Sequence, residues 1–172
     1  MVKILPACIT CVNSGFLCSS CQKRLDTGEL TEFELDLAKD LVELEEKEHE
    51  NFGFLKDISF YKAIDYEDVV IFIIGDKDKL KITQELIDWI KDTYKIEKII
   101  LIEKTNKPRS VVESLIAPSK IVSLNEIFLA TGDIEFKAVL PKSDKGNILF
   151  TRVELEDLIL ELCGKRTRIE YL

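Results

Sequence analysis

Apolar positions in the first half of the chain repeat with helical and then with strand-like spacing. A set of residues three and four apart predicts an amphipathic helix of about 17 residues, and Thr31 with Glu34 forms the sequence signature of a capping box at its start. The apolar residues of this stripe are Phe33, Leu37, Leu41 and Leu44. The single histidine, His49, falls at the end of this helix, where a solvated role is expected.

Two strands, a helix and a third strand are predicted to follow. Ile58–Ile64 is rich in residues that favour strands, and Val69–Ile74 is a continuous apolar run typical of a strand buried on both faces. Leu80–Tyr94 has helical spacing, with Trp89 expected in the core, and Lys98–Glu103 predicts the third strand. The order of elements is therefore helix, strand, strand, helix, strand.

The second half of the chain repeats this order of elements with little identity of sequence. The predicted elements are a helix at Ser110–Ala117, strands at Ile121–Leu129 and Ile134–Leu140, a helix that Thr151 caps and Gly164 ends, and a strand at Arg168–Leu172. Each half is expected to place its helices on one face of a three-stranded sheet, which makes the fold class α+β.

Composition agrees with a chain that buries a core. Hydrophobic residues make up 46% of the 172 residues and charged residues 33%. No apolar run approaches the roughly 20 residues that span a bilayer, and Met1–Pro6 is far too short to be a signal peptide. We therefore expect a cytoplasmic protein that does not associate with membranes.

The net charge of −8 is concentrated in one segment. Ten acidic residues and two lysines lie between Glu29 and Glu50, which accounts for the whole excess. Such a charge does not favour nucleic acid as a partner. The acidic helix is either a solvated face or a surface that docks on a basic protein.

Four of the five cysteines form two closely spaced pairs. Cys8 and Cys11 are separated by two residues, as are Cys18 and Cys21, with six residues between the pairs. This spacing is typical of a structural zinc site with four thiolate ligands. An iron–sulfur cluster and a redox-active thiol pair stay open as alternatives. The fifth, Cys163, lies on an apolar helical stripe and is expected in the core.

The sequence provides little support for catalysis. It lacks the glycine-rich motifs that bind nucleotide phosphates, and a closed shell of four thiolates leaves no open position on the metal for water. We therefore expect no catalytic residues, no enzymatic activity and no small-molecule substrate.

Several segments of the chain resemble a known family. The order of elements matches tandem KH-like units of the prokaryotic type, and the whole chain resembles the archaeal NusA-like transcription elongation factors that carry an N-terminal zinc ribbon. The cysteine segment is the most specific part of the resemblance. The segments that carry it are Cys8–Cys21, Gly28-Glu29-Leu30, Leu44–Lys47, Leu55-Lys56-Asp57, Val69–Gly75, Leu115–Pro118 and Leu162–Ile169.

The resemblance implies a domain organisation and a class of partner. It implies a zinc ribbon or knuckle at residues 1–28, a first KH-like unit at residues 29–105 that includes the acidic helix 31–48, and a second KH-like unit at residues 106–172. It also implies a non-catalytic transcription factor, active in elongation or termination, with RNA polymerase or associated transcription proteins as partners.

The sequence departs from the KH pattern at the loops that hold nucleic acid. KH domains use a Gly-x-x-Gly loop, but Gly75–Leu80 and Lys142–Asn147 each contain one glycine. Basic residues beside these loops are candidate contacts for single-stranded RNA, although they equally suit a solvated surface. These residues are Lys77, Lys79, Lys81, Lys142, Lys145 and Arg152.

Three functions therefore follow from the sequence. The first is a scaffold that contacts the transcription machinery through its zinc head, acidic helix or sheet surface, with weak RNA binding at most. The second is a genuine single-stranded RNA-binding factor. The third is a redox- or metal-sensing module with a labile four-cysteine site.

Overall fold

The computed structural model of the protein describes residues 4–172 and has a mixed α+β architecture. Two compact units divide the chain, the first ending at Glu103 and the second covering Lys104–Leu172. Each unit contains one three-stranded sheet. Among the described residues, no helix combines the length and apolar character needed to cross a membrane.

The first unit begins with helices and then forms its sheet. The helices are α1 (Ile9–Ser14), α2 (Ser19–Asp26), α3 (Glu32–Lys47), α4 (His49–Phe52) and α5 (Gln84–Tyr94). The strands are β1 (Phe60–Tyr66), β2 (Val69–Ile74) and β3 (Lys98–Glu103). Single 3-10 turns at Gly53–Asp57 and Asp78–Leu80 precede β1 and α5.

The acidic helix α3 is fixed at its start by the predicted capping box. The Thr31 hydroxyl accepts the Glu34 N–H, and the Glu34 carboxylate accepts the Thr31 N–H at 2.9 Å. The other oxygen of the Glu34 carboxylate accepts the Ala63 N–H at 2.7 Å. Glu34 is 1% exposed, so a single carboxylate caps α3 and joins it to β1 inside the core.

The sheet of the first unit has β2 at its centre. β1 pairs antiparallel with β2, and β3 pairs parallel with β2 after the crossover through α5. Phe72 on β2 is 1% exposed and meets Phe60 edge to face, and the half-buried Trp89 of α5 packs against the same core. Burial of each such large side chain stabilises the fold by about 1.5–3 kcal/mol. The predictions of a buried central strand and of a core tryptophan are confirmed.

The second unit repeats the order and directions of these strands. It contains α6 (Pro108–Ile116), β4 (Ser123–Phe128), β5 (Ile134–Leu140), α7 (Arg152–Cys163) and β6 (Thr167–Tyr171), with a 3-10 turn at Lys142–Asp144. β4 pairs antiparallel with the central β5, and β6 pairs parallel with β5. Thr151 and Glu154 form the predicted capping box, and Gly164 ends α7 in the left-handed conformation.

Some predicted element boundaries are displaced for physical reasons. α5 begins at Gln84 and not at Leu80, because the Thr83 hydroxyl caps it and Leu80 is 91% exposed. α6 begins at Pro108, a residue whose fixed φ and missing N–H suit the first helical position. The domain limits at residues 28 and 105 stay predictions.

Candidate metal centre

Each pair of cysteines lies at the start of a short helix. Cys8 is the N-terminal cap of α1 and Cys11 is its third residue, and Cys18 and Cys21 take the same places on α2. The two-residue spacing therefore turns both thiols of a pair to the same helix end. The segment that was predicted to be a zinc ribbon or knuckle is mainly helical. Among the described residues before α3, β pairing is limited to one isolated bridge between Ile4 and Ser59.

The four sulfur atoms converge on one point. All four lie within 4.8 Å of one another, and the Sγ atoms of Cys8 and Cys11 are 3.0 Å apart. A tetrahedral ion bound at about 2.3 Å from each sulfur separates the sulfurs by about 3.8 Å, which this cluster accommodates with small shifts. Cys11 and Cys21 are buried, whereas Cys8 and Cys18 are exposed. The arrangement can hold one metal ion.

Hydrogen bonds within the cluster favour thiolates at two positions. The Cys21 N–H donates to the Cys18 sulfur at 3.5 Å, and chiefly this bond lowers the pKa of Cys18 to about 7. The hydrogen bond between the thiols of Cys8 and Cys11 lowers the pKa of Cys8 and raises that of Cys11. The Cys18 N–H also donates to the Cys11 sulfur at 3.1 Å. Such N–H groups at helix starts stabilise negative sulfur, the form that binds metals.

The cysteine segment also has apolar support from α3. One buried cluster combines residues of the segment with residues on one side of the acidic helix, and Arg24 donates to the Pro6 carbonyl at 2.8 Å. The buried members are Ala7, Cys11, Val12, Cys21, Leu30, Ala38 and Val42. Because this cluster is small, packing alone holds α1 and α2 together weakly. A bound ion that links the two helices would stabilise the segment further.

The first candidate RNA loop is filled by its own carboxylate. Asp78 is 4% exposed, accepts the Ser59 N–H at 2.9 Å and pairs with the Lys81 ammonium at 2.8 Å. A Cβ atom on Gly75 would lie 2.3 Å from the Asp78 carboxylate. Lys77 and Lys79 are exposed, but the backbone beside Gly75, where a phosphate would approach, already faces a negative group.

The second candidate loop is more open. A Cβ atom on Gly146 would meet nothing within 4 Å, and the exposed Lys142 extends from the 3-10 turn. The Lys145 ammonium lies 5.4 Å from the centre of the Tyr171 ring, and Arg152 pairs with Glu156 at 3.0 Å. The loop leaves part of its positive charge exposed to solvent, as the loop after β2 does at Lys77 and Lys79. The two loops differ because Gly146 has open space where Gly75 faces the Asp78 carboxylate.

A second group of charges in this unit was not predicted from the sequence. Glu135 on β5 is 4% exposed and pairs with Arg168 at 2.8 Å and with Arg166 at 3.5 Å, both on or beside β6. Both arginine side chains are more than half exposed. Two sequence features could have indicated this group. Glu135 is an acid within a mainly apolar strand, and Arg166 and Arg168 lie at the start of the strand that pairs with it in parallel.

The remaining cysteine and histidine stand apart from the metal centre. Cys163 is buried on α7, where its thiol donates to the Ile159 carbonyl and burial raises its pKa, so the core prediction is confirmed. His49 is exposed at the start of α4. Among the described residues, the cluster of possible metal ligands contains the four predicted cysteines.

Comparisons with known proteins give no family for the chain. No family model matches it, and no curated protein matches it. A solved structure described as "Crystal structure of APE1850" is similar to 67% of this chain and to 88% of that chain, with 17% sequence identity and a TM-score of 0.48. That description states no activity, and a similarity at this level carries no conclusion about function.

Proposed function

We propose that the chain is a zinc-binding, non-catalytic transcription factor, similar to the archaeal NusA-like elongation factors. In this proposal it contacts RNA polymerase or associated proteins through the first unit. The observation that carries the proposal is the four-cysteine cluster at the start of the first unit, together with a second unit whose sheet has the same strand order and strand directions. That combination agrees with tandem KH-like units behind a metal-bound head.

Zinc is the ion that the centre suits best. Four thiolates in two short-spaced pairs are typical ligands of structural zinc, and their number leaves no open position for substrate or water. Bound zinc would join α1 to α2 and thereby fix the surface that they present. The exposure of Cys8 and Cys18 also keeps the sensing function open, and resistance of the bound zinc to mild oxidation would exclude it.

Contact with protein is favoured over contact with RNA by two features of the first unit. The Asp78 carboxylate fills the space beside Gly75, and Lys81 is engaged by that carboxylate. The acidic helix α3 carries seven acidic residues against two lysines, and this excess of negative charge repels phosphates and attracts basic protein surfaces.

Co-purification from native extract tests the proposal. The tagged, zinc-loaded chain is used as bait with and without nuclease treatment of the extract. We expect RNA polymerase or an associated transcription protein to be recovered equally under both conditions. Loss of that protein after nuclease treatment would show that RNA bridges the interaction, and recovery of no transcription protein under either condition would reject the proposal.

A second candidate function, binding of single-stranded RNA, is favoured by the second unit. Its exposed cations include Lys142 and the two arginines that Glu135 holds in place. Direct titration with single-stranded RNA at low salt measures this function. Affinity that falls steeply with salt and with replacement of Arg166 and Arg168 would support it, and a flat titration would exclude it.

A further inference from the structure

A groove runs along the seam between the cysteine segment and the acidic helix. Two depressions of about 280 and 390 Å³ share Val12 of α1 and Lys39 of α3 as lining residues. Together they extend along α3 from Glu32 to Glu46, a distance of about 21 Å at 1.5 Å per residue. We call this feature the α1–α3 groove.

The α1–α3 groove has an apolar floor and an acidic rim. The floor is formed by aliphatic side chains of α1, α2, the loop between them and α3. These residues are Val12, Leu17, Leu25, Leu35 and Val42. The rim carries the carboxylates of Glu32, Asp36, Glu43 and Glu46, with Lys39 as the cation among the lining residues.

The chemistry of the groove defines what it can bind. Carboxylates around it disfavour nucleic acid and other anions, and the net charge of −8 disfavours a second copy of the chain. The groove is about 21 Å long, with aliphatic residues at its centre, from Leu35 to Val42 of α3, and carboxylates at both ends. This pattern matches one face of a helix of about 14 residues. Glu43 is paired with the exposed Lys47 at 2.8 Å, a surface pair weak enough to exchange for a cation of a partner.

We propose that the α1–α3 groove binds a basic amphipathic helix of a partner protein, with aliphatic residues on the floor and lysines or arginines against the rim. This inference rests on the proposed function, because it names the surface through which the first unit contacts protein. Phe16, which is 81% exposed between the groove-lining residues Gly15 and Leu17, extends the apolar surface at one end. Cys11 lines the groove and is also a candidate metal ligand, so the metal centre lies next to the binding surface.

The test uses the full zinc-loaded chain and two synthetic peptides of about 14 residues made of leucine and lysine. In one peptide the leucines recur at helical spacing, and in the other the same residues are scrambled. We expect the amphipathic peptide to shift amide signals of α1 and α3 in NMR spectra and to bind at least about tenfold more tightly than the scrambled peptide. Equal binding of both peptides, or shifts confined to other elements, would overturn the proposal.

Two matched double variants distinguish peptide binding in the groove from a general effect of the protein's net charge. Asp36→Lys with Glu46→Lys reverses two rim charges, whereas Asp92→Lys with Glu97→Lys makes the same change at exposed residues of the first unit that do not line the groove. The rim variant should bind the peptide at least about tenfold more weakly, and the control should stay within about twofold. Equal losses in both variants would show that only net charge matters, and would reject the groove. Zinc content and circular dichroism verify that both variants fold.

The same variants distinguish failure of the groove from failure of the proposed function. In the nuclease-treated co-purification, the rim variant should lose the partner protein that the unmodified chain retains. If both retain it, the groove proposal fails and the proposed function stands. If the unmodified chain recovers its partner only through RNA, the proposed function fails, whatever the peptide measurements show.

Discussion

The two units of the chain share an architecture and differ in their chemistry. Both contain a central strand with one antiparallel and one parallel neighbour, and both use a helix for the crossover. The first unit carries 22 acidic residues against 13 lysines and arginines, whereas the second carries 10 against 11. The first also holds the four-cysteine centre. The same strand arrangement therefore occurs with a strongly acidic surface and a four-cysteine cluster in one unit and with nearly balanced charge in the other.

The loops after the two central strands show the same contrast on a smaller scale. After β2, the buried Asp78 closes its turn against Ser59 and Gly75. After β5, the turn at Lys142–Asp144 leaves Gly146 in open space. The closed loop is a structural part of the first unit, and the open loop stays free to make contacts.

The largest expected effect comes from breaking the four-cysteine cluster, which lies in the first unit. Cys11→Ser removes one of four ligands and should abolish stoichiometric metal binding, with a loss on the order of several kcal/mol in the stability of the cysteine segment. NMR should show disordered amides in α1 and α2 but intact signals from the second unit. Cys163→Ser is the control and should keep one metal ion per chain. Full metal occupancy of the Cys11→Ser protein would contradict the assignment.

The two capping boxes provide the next comparison. Glu34 and Glu154 occupy the same position in their boxes, and Glu34 also accepts the N–H of a buried strand residue, Ala63. Glu34→Ala leaves that N–H buried without its acceptor and should lower the free energy of unfolding by about 3 kcal/mol. Glu154→Ala, at a half-buried cap residue, should cost about 0.5–1 kcal/mol. Chemical denaturation measures both, and equal losses would refute the difference.

The two loop glycines should differ in tolerance of a methyl group. Gly75→Ala forces the Asp78 carboxylate away from its place and should cost about 1–3 kcal/mol. Gly146→Ala meets no atom and should change stability by less than about 0.5 kcal/mol. The same denaturation series tests the pair. A tolerated alanine at position 75 would show that the first loop is looser than described.

The smallest effect concerns tyrosines and alkaline pH. Burial, followed by a hydrogen bond to Asp40, raises the pKa of Tyr94 far above its usual range, whereas burial alone raises that of Tyr171. A raised folded-state pKa contributes stability that is present below the unfolded value of about 10 and is lost as pH rises above it. Tyr94→Phe should therefore weaken the alkaline decline in stability more than Tyr171→Phe does. Unfolding midpoints of the two variants are measured between neutral and alkaline pH. If the midpoints of both variants change equally with pH, this expectation is wrong.

Local signals explain what the sequence predicted well. The cysteine pairs, the capping boxes at Thr31 and Thr151 and the apolar run Val69–Ile74 depend on residues a few positions apart, and the structure contains all of them. Each cysteine pair, capping box or apolar run lies within one turn of helix or one strand. The candidate metal ligands could therefore be named from spacing alone.

Tertiary contacts explain what the sequence did not predict. The 3-10 turn ahead of α5 contains Asp78, whose buried carboxylate accepts the N–H of Ser59, 19 residues earlier in the chain. The buried Glu135 pairs with Arg168 on the neighbouring β6 and with Arg166, which directly precedes that strand. The α1–α3 groove exists only because the cysteine segment packs on the acidic helix. These features join residues that are far apart in the sequence, so periodicity within one segment does not predict them.

We propose that one zinc ion bound to Cys8, Cys11, Cys18 and Cys21 organises the first unit. Native mass spectrometry of the intact chain, combined with thiol alkylation, measures both the ion and the state of the cysteines. We expect one zinc ion per chain and four additional thiols that become reactive once a chelator removes the zinc. Iron with inorganic sulfide, or a metal-free chain whose mass shows disulfides between these cysteines, would contradict it.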